Sequence, residues 1–231
     1  MSRKIQDVNL ETLTFSKTKV KSNNKFLYVY SDKKPLILKI EKTRVPFGLQ
    51  KDNLSSKNQY ILDLSLDSEG ETLKSFEKFT KAVVEKVHKD FYSEKTIEEV
   101  QGMFNNFIKY PENTMFSPTL RTKIIVSDDN VPKCDFYSSE KNEDGKFPKI
   151  NVVEKGNEPY LLKSICKGAH VETILECIGL WFFKDRFGIS FKTNQMMIYP
   201  NSTTVEKPRE EVCHFVDSDT ETSNSDADFL D

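Results

Sequence analysis

Apolar and polar residues alternate from Gln59 to Leu66, so Tyr60, Leu62, Leu64 and Leu66 share one face of a half-buried strand. Aromatic and β-branched runs at Phe26–Tyr30 and Pro35–Ile40 predict two more strands, with Asp32-Lys33-Lys34 as the turn between them. The period then changes. Leu73, Phe76, Phe79, Val83, Val84 and Val87 recur at helical spacing behind Ser68-x-x-Glu71, which reads as a capping box. A weaker helix begins at Thr96-x-x-Glu99, runs through Val100, Phe104 and Phe107, and is stopped by Pro111. The phenylalanines of both helices are core candidates, because an apolar stripe exists to pack.

After Pro118 the pattern returns to β. Leu120–Val126 is a predicted strand with Arg121 and Lys123 on one face, and Cys134–Ser138 is a further one. Residues 139–158 are polar and predict a hairpin tip followed by a long loop. The strongest β signal comes last. His170–Phe183 and Ile189–Tyr199 flank Lys184-Asp185-Arg186-Phe187-Gly188, which predicts a long hairpin. Trp181 and Phe183 fall on one face of its first strand. Because Trp181, Phe182 and Phe183 are consecutive, at least one ring must point inward. Residues 1–200 therefore read as one folded domain. Residues 201–231 read as a flexible linker and a Ser/Thr/Asp-rich tail with too little to bury, expected to be disordered.

Charge sharpens this division. The chain has 34 Lys+Arg, 36 Asp+Glu and a formal net charge of −2. Eight of the acids lie in residues 210–231, which contain no Lys or Arg, leaving 28 acids against 34 bases before them. The body is thus +6 and the tail −8. Cys134, Cys166, Cys177 and Cys213 form no C-x-x-C pair and read as isolated reduced thiols. No apolar run reaches the ~20 residues of a membrane helix, and Met1–Leu10 is polar, without a secretory h-region. An intracellular protein with no membrane contact is expected.

The phosphate-loop, dinucleotide, zinc-protease and serine-hydrolase motifs are missing. Asp63 and Asp67 are the nearest approach to paired acids. They read as a solvent-facing carboxylate and a turn leading into a helix, not as a metal dyad. No catalytic residue, cofactor or metal is expected. Single-strand binding, by contrast, requires cations for phosphates and flat side chains for bases. Lys42, Arg44, Arg121, Lys123, Arg186 and Lys192 supply the first, with Lys184 beside them; Trp181 and Phe183 supply the second, with Phe136 and Tyr137 as further candidates. A lone aromatic is more often core and a lone lysine more often a solvated face, so only the combination carries weight. The tail ends Asp226-Ala227-Asp228-Phe229-Leu230-Asp231. An anionic, aromatic-ended segment can compete for a basic groove or dock on replication proteins.

The order of landmarks resembles that in the single-stranded-DNA-binding proteins of nucleocytoplasmic large DNA viruses, which are related to those of T-seven-type phages. The matching pieces are Leu36-Ile37-Leu38-Lys39 leading to Pro46-Phe47-Gly48-Leu49, and the strand Tyr60–Leu66 running into a helix. Then come Ser117-Pro118-Thr119-Leu120-Arg121-Thr122-Lys123-Ile124, Gly179-Leu180-Trp181-Phe182-Phe183 and Phe187-Gly188-Ile189-Ser190-Phe191-Lys192. The resemblance implies a mainly β, α+β fold: an OB-like β-barrel with inserted helices. It implies a role coating single strands in viral DNA replication, recombination and repair, at a replication site in the host cytoplasm or nucleus. Single-stranded DNA is the expected partner, replication proteins a second one through the tail, and a homodimer stays open. The polar stretch Ser139–Glu158 departs from the family's pattern, and Ser, Thr and Asn dilute the acids of the tail. The competing reading is a viral structural, assembly or adaptor protein without nucleic-acid binding.

Overall fold

The computed structural model describes residues 2–21, 24–53, 58–156 and 158–200, with backbone alone at 19–21 and 24. Two 3-10 turns, Ile5–Asp7 and Leu10–Thr12, open the chain. Strands follow as β1 (Thr14–Phe15), β2 (Lys19–Lys21), β3 (Asn24–Leu27), β4 (Val29–Ser31), β5 (Lys34–Pro35), β6 (Ile37–Arg44), β7 (Gln50–Lys51) and β8 (Gln59–Ser65). Helices α1 (Glu71–Phe91) and α2 (Ile97–Met103) come next. They are followed by β9 (Phe104–Asn105), β10 (Ile108–Lys109), β11 (Thr119–Ile125), β12 (Asp135–Ser138) and β13 (Lys149–Ile150). Helix α3 (Glu158–Ser164) precedes the long pair β14 (His170–Phe183) and β15 (Arg186–Tyr199).

The β14–β15 hairpin is the spine of the main sheet. Along the free edge of β14 lie β6, opposite His170–Glu176, and β3, opposite Leu180–Phe182. Along the free edge of β15 lie β9 at Phe187–Gly188, β11 at Lys192 and β12 at Gln195–Ile198, all parallel to it. β8 pairs antiparallel with the whole of β11, and β7 with β8. On the inner face, α1 lays its apolar stripe against the sheet. Phe76 meets Phe191 at 6.1 Å, and Phe107 fits between them at 5.8 Å and 5.1 Å. Burying each such ring contributes about 2–3 kcal/mol.

The face that β14 presents is set by a bulge. Val171, Thr173, Leu175 and Cys177 point inward, and the register shifts between Cys177 and Gly179. Beyond it Leu180 and Phe182 take the inner side, leaving Trp181 and Phe183 outside. Gly179 has φ +147°, and a Cβ there would run into the Leu27 carbonyl oxygen and the Phe26 ring. Only glycine fits this position.

Several expectations need correction. The sheet is open: among the described residues no ladder joins β6 to β8. The β8 edge is occupied by β7 at Tyr60–Ile61, and β6 reaches β8 through the Thr43 hydroxyl, which donates to the Ser65 carbonyl. Helix α1 starts later than Ser68. Its N-cap is Gly70 with no side-chain cap, while Asp67 accepts from the Glu69 backbone N–H in the turn before it. Helix α2 has the expected Thr96–Glu99 capping box but stops at Met103. Phe104 turns extended because its segment pairs with β15. Within the predicted loop 139–158, β13 pairs with β12; the α3 segment that follows is helical, with Pro159 in its first turn, where a missing N–H costs nothing. The hairpin loop is a two-residue turn, Lys184–Asp185, so Arg186 to Gly188 are already strand. Asp63 does not face solvent: it is 3% exposed.

Candidate nucleic-acid interface

Cross-strand register builds the outer face of the sheet row by row, because paired residues point to the same side. In one row Phe26 pairs with Trp181, Trp181 with Gly188 and Gly188 with Asn105. A Cβ on Gly188 would lie 2.6 Å from the Trp181 ring, so the indole rests on bare backbone. Phe26 rests on Gly179 in the same way. Tyr28 extends the ring series, edge-on to Phe26 at 5.4 Å, and Tyr30 follows at 6.5 Å. Phe183, 53% exposed, continues it toward the hairpin tip, where the Lys184 ammonium lies 5.5 Å from its ring.

Cations adjoin these rings. Lys123 pairs in register with Lys192, and Arg121 lies two residues nearer the tip on the same face of β11. The buried hydroxyls of Thr122 and Thr193, 3.2 Å apart on the inner side, pin β11 to β15 and so fix these side chains against the hairpin. A cleft of about 230 Å³ is lined by Lys109, Arg121, Lys123, Trp181, Asn105 and Ser190, among others. Its chemistry suits a polyanion with flat rings: cations and amide donors on one side, an indole on the other.

Arg121 and Lys192 are partly neutralised. Arg121 donates from Nε and Nη2 to both oxygens of Asp63, each at 2.9 Å. These bonds raise the guanidinium pKa, so the group stays charged. Three of its five N–H bonds remain for other acceptors. Lys192 lies 3.1 Å from Glu176, which also accepts from Asn194 at 2.7 Å. Lys109 makes no ion pair among the described residues.

Two phage proteins of known structure resemble the chain. One is the single-stranded DNA-binding protein from bacteriophage Enc34 in complex with ssDNA, at TM-score 0.45 and 12% identity, covering 83% of this chain and 97% of that one. The other is gp2.5, a single-stranded DNA binding protein encoded by bacteriophage T7, at TM-score 0.43 and 14% identity, covering 82% and 100%. No protein-family model matches the chain. No curated protein matches it either.

The structure brings Arg121, Lys123 and Trp181 into one cleft, with Lys192 in register beside Lys123. Phe183 and Arg186 pair with each other at the hairpin tip. Lys42 and Arg44 lie elsewhere. Arg44 pairs with His170, eleven residues from Trp181 along β14 and on the order of 30 Å away at ~3.3 Å per residue. The Lys42 ammonium lies 4.2 Å over the Tyr199 ring. Phe136 is buried. Asp226, Asp228, Phe229 and Leu230 lie outside the described residues. Sequence reasoning missed Lys109, which no local signal marks, and Phe26 and Tyr28, whose alternation with Tyr30 was visible. Among the described residues no cluster of His, Cys, Asp and Glu could hold a metal, and no helix is long and apolar enough to cross a membrane.

Proposed function

We propose that this chain binds single-stranded DNA without sequence preference and without catalysis. The observation that carries the reading is one sheet face on which Phe26, Trp181 and Phe183 are seated beside Lys109, Arg121, Lys123 and Lys192. Bases stack on the rings, each worth ~1–3 kcal/mol whatever the base. Phosphates meet the cations, releasing counterions. Such a protein would coat strands opened during the replication, recombination and repair of a viral genome. Its tail, with Asp226, Asp228, Phe229 and Leu230, would compete with DNA for the face and offer an anchor to replication proteins.

Titration with oligo-dT and with matched duplex at two salt concentrations tests this reading. Oligo-dT should bind far more tightly than duplex, with log K falling against log salt at about −0.7 per phosphate contacted. Equal affinity for both forms, or no salt dependence, would overturn it. A chain ending at residue 209 should bind oligo-dT more tightly than the full chain.

One observation favours a second reading, an adaptor or structural protein without nucleic-acid binding. Asp63 and Glu176 hold Arg121 and Lys192 in internal pairs, which lowers the positive charge of the face. The same titration decides it, because an adaptor would bind neither DNA form.

A further inference from the structure

The inner side of the hairpin tip carries a second site made of rings and lysines. Lys25 is the cross-strand partner of Phe182, so both side chains occupy the inner face. A cavity of about 190 Å³ opens there, lined by Lys25, Leu27, Phe91, Tyr92, Phe182 and Lys184. Leu27 and Phe182 are buried and form the floor. Phe91 and Tyr92, at the C-terminal end of α1, form the wall, with ring centroids 5.3 Å and 6.4 Å from that of Phe182. Phe91 closes the helix yet keeps 37% of its surface exposed. Burial, with Asp185 and Glu94 nearby, raises the Tyr92 pKa, so its hydroxyl stays a neutral donor.

Lys25 and Lys184 stand exposed at the mouth, and neither makes an ion pair among the described residues. Lys184 sits in the turn at φ +51° and also approaches the Phe183 ring, so it borders both faces of the tip. The cavity is smaller than the roughly 300 Å³ at which pockets for larger ligands begin. One flat ring system fits it, with anionic groups held at the rim.

We propose that this cavity is a nucleotide subsite. It takes one base of a bound single strand that passes from the outer face around the hairpin tip, while Lys184 and Lys25 hold the adjoining phosphates. The proposal rests on the single-strand reading above and adds a path to it: outer face, tip, inner face.

The test is an oligo-dT length series spanning roughly the 4–16 nucleotides that such faces cover. It uses the full chain, the Lys25→Ala variant and the Phe91→Leu variant. The shortest oligonucleotides, held by the outer face, should bind all three proteins equally. The longer ones should bind both variants about tenfold more weakly, the loss of one stacked base with its phosphate contact. Should Phe91→Leu fail to fold, Lys25→Ala, a surface change, carries the test alone. Unchanged affinity at every length would overturn the subsite while leaving single-strand binding intact. Equal losses at every length would overturn it too, since the residues would then serve the outer face. No binding of any oligo-dT by the unaltered chain would overturn the underlying reading as well.

Discussion

The two ends of the β14–β15 hairpin both carry lysines beside rings and use them differently. At the His170–Tyr199 end, Lys39 and Lys42 are held by neighbours within the fold. Lys39 pairs with Glu172 at 2.7 Å, the Tyr199 hydroxyl donates to the same carboxylate at 3.4 Å, and Lys42 sits over the Tyr199 ring. At the Phe183–Arg186 end, rings lie on glycines, and Lys109, Lys184 and Arg186 have no acidic partner among the described residues. What separates them is the Lys39–Glu172 pair at one end and the rings seated on Gly179 and Gly188 at the other. Between them lies a mixed zone, where Asp63 and Glu176 temper Arg121 and Lys192.

The largest expected effect breaks the comparison outright if it fails. Trp181→Ala should weaken oligo-dT binding by roughly 5- to 150-fold, the value of one stacked base. Lys42→Ala with Arg44→Ala, at the opposite end, should change it less than about twofold. Matching losses in an anisotropy titration would erase the distinction between the ends.

The next effect is on stability. Arg121→Ala leaves the buried Asp63 carboxylate without its partner. The Arg121 side chain is 42% exposed, so the cost in urea melts should be about 2 kcal/mol, below the value for a fully buried pair. Restoring neutrality with Asp63→Asn in the same chain should recover part of it, which a double-mutant cycle would read.

Smaller effects sharpen the mixed zone. Glu176→Gln removes the charge facing Lys192 and should tighten oligo-dT binding about twofold. Burial pushes the Glu176 pKa up, but hydrogen bonds from Asn194 and Lys192 outweigh it and hold the carboxyl below its ordinary value. A carboxylate whose folded pKa is depressed stabilises the fold above its unfolded pKa, and that contribution is lost as pH falls through the folded one. The stability gap between the unaltered chain and Glu176→Gln should therefore be present at neutral pH and close in acid. A gap that persists in acid would assign it to packing.

Much of the fold was legible because one periodicity governed each element. The α1 stripe and the alternation of β8 needed only local packing, and Leu73, Phe76, Phe79 and Val83 are buried as their spacing required. Elements set by distant partners were less legible. The spacing of Phe104 fits a helix, yet pairing with β15 pulls it into a strand. The site divides along the same line. That Trp181 and Phe183 share a face follows from strand alternation, while the Phe26–Trp181–Gly188 row depends on register between segments far apart in sequence. Asp63 looks exposed in the sequence because nothing local reveals that Arg121, 58 positions later, covers it.

Trp181 is the chain's one tryptophan, so its emission reports directly on the proposed stacking surface. Titrating the protein with oligo-dT while following that emission is the most direct measurement. The account predicts saturable quenching that reverses as salt is added. Binding seen by anisotropy with the Trp181 emission unchanged would contradict it.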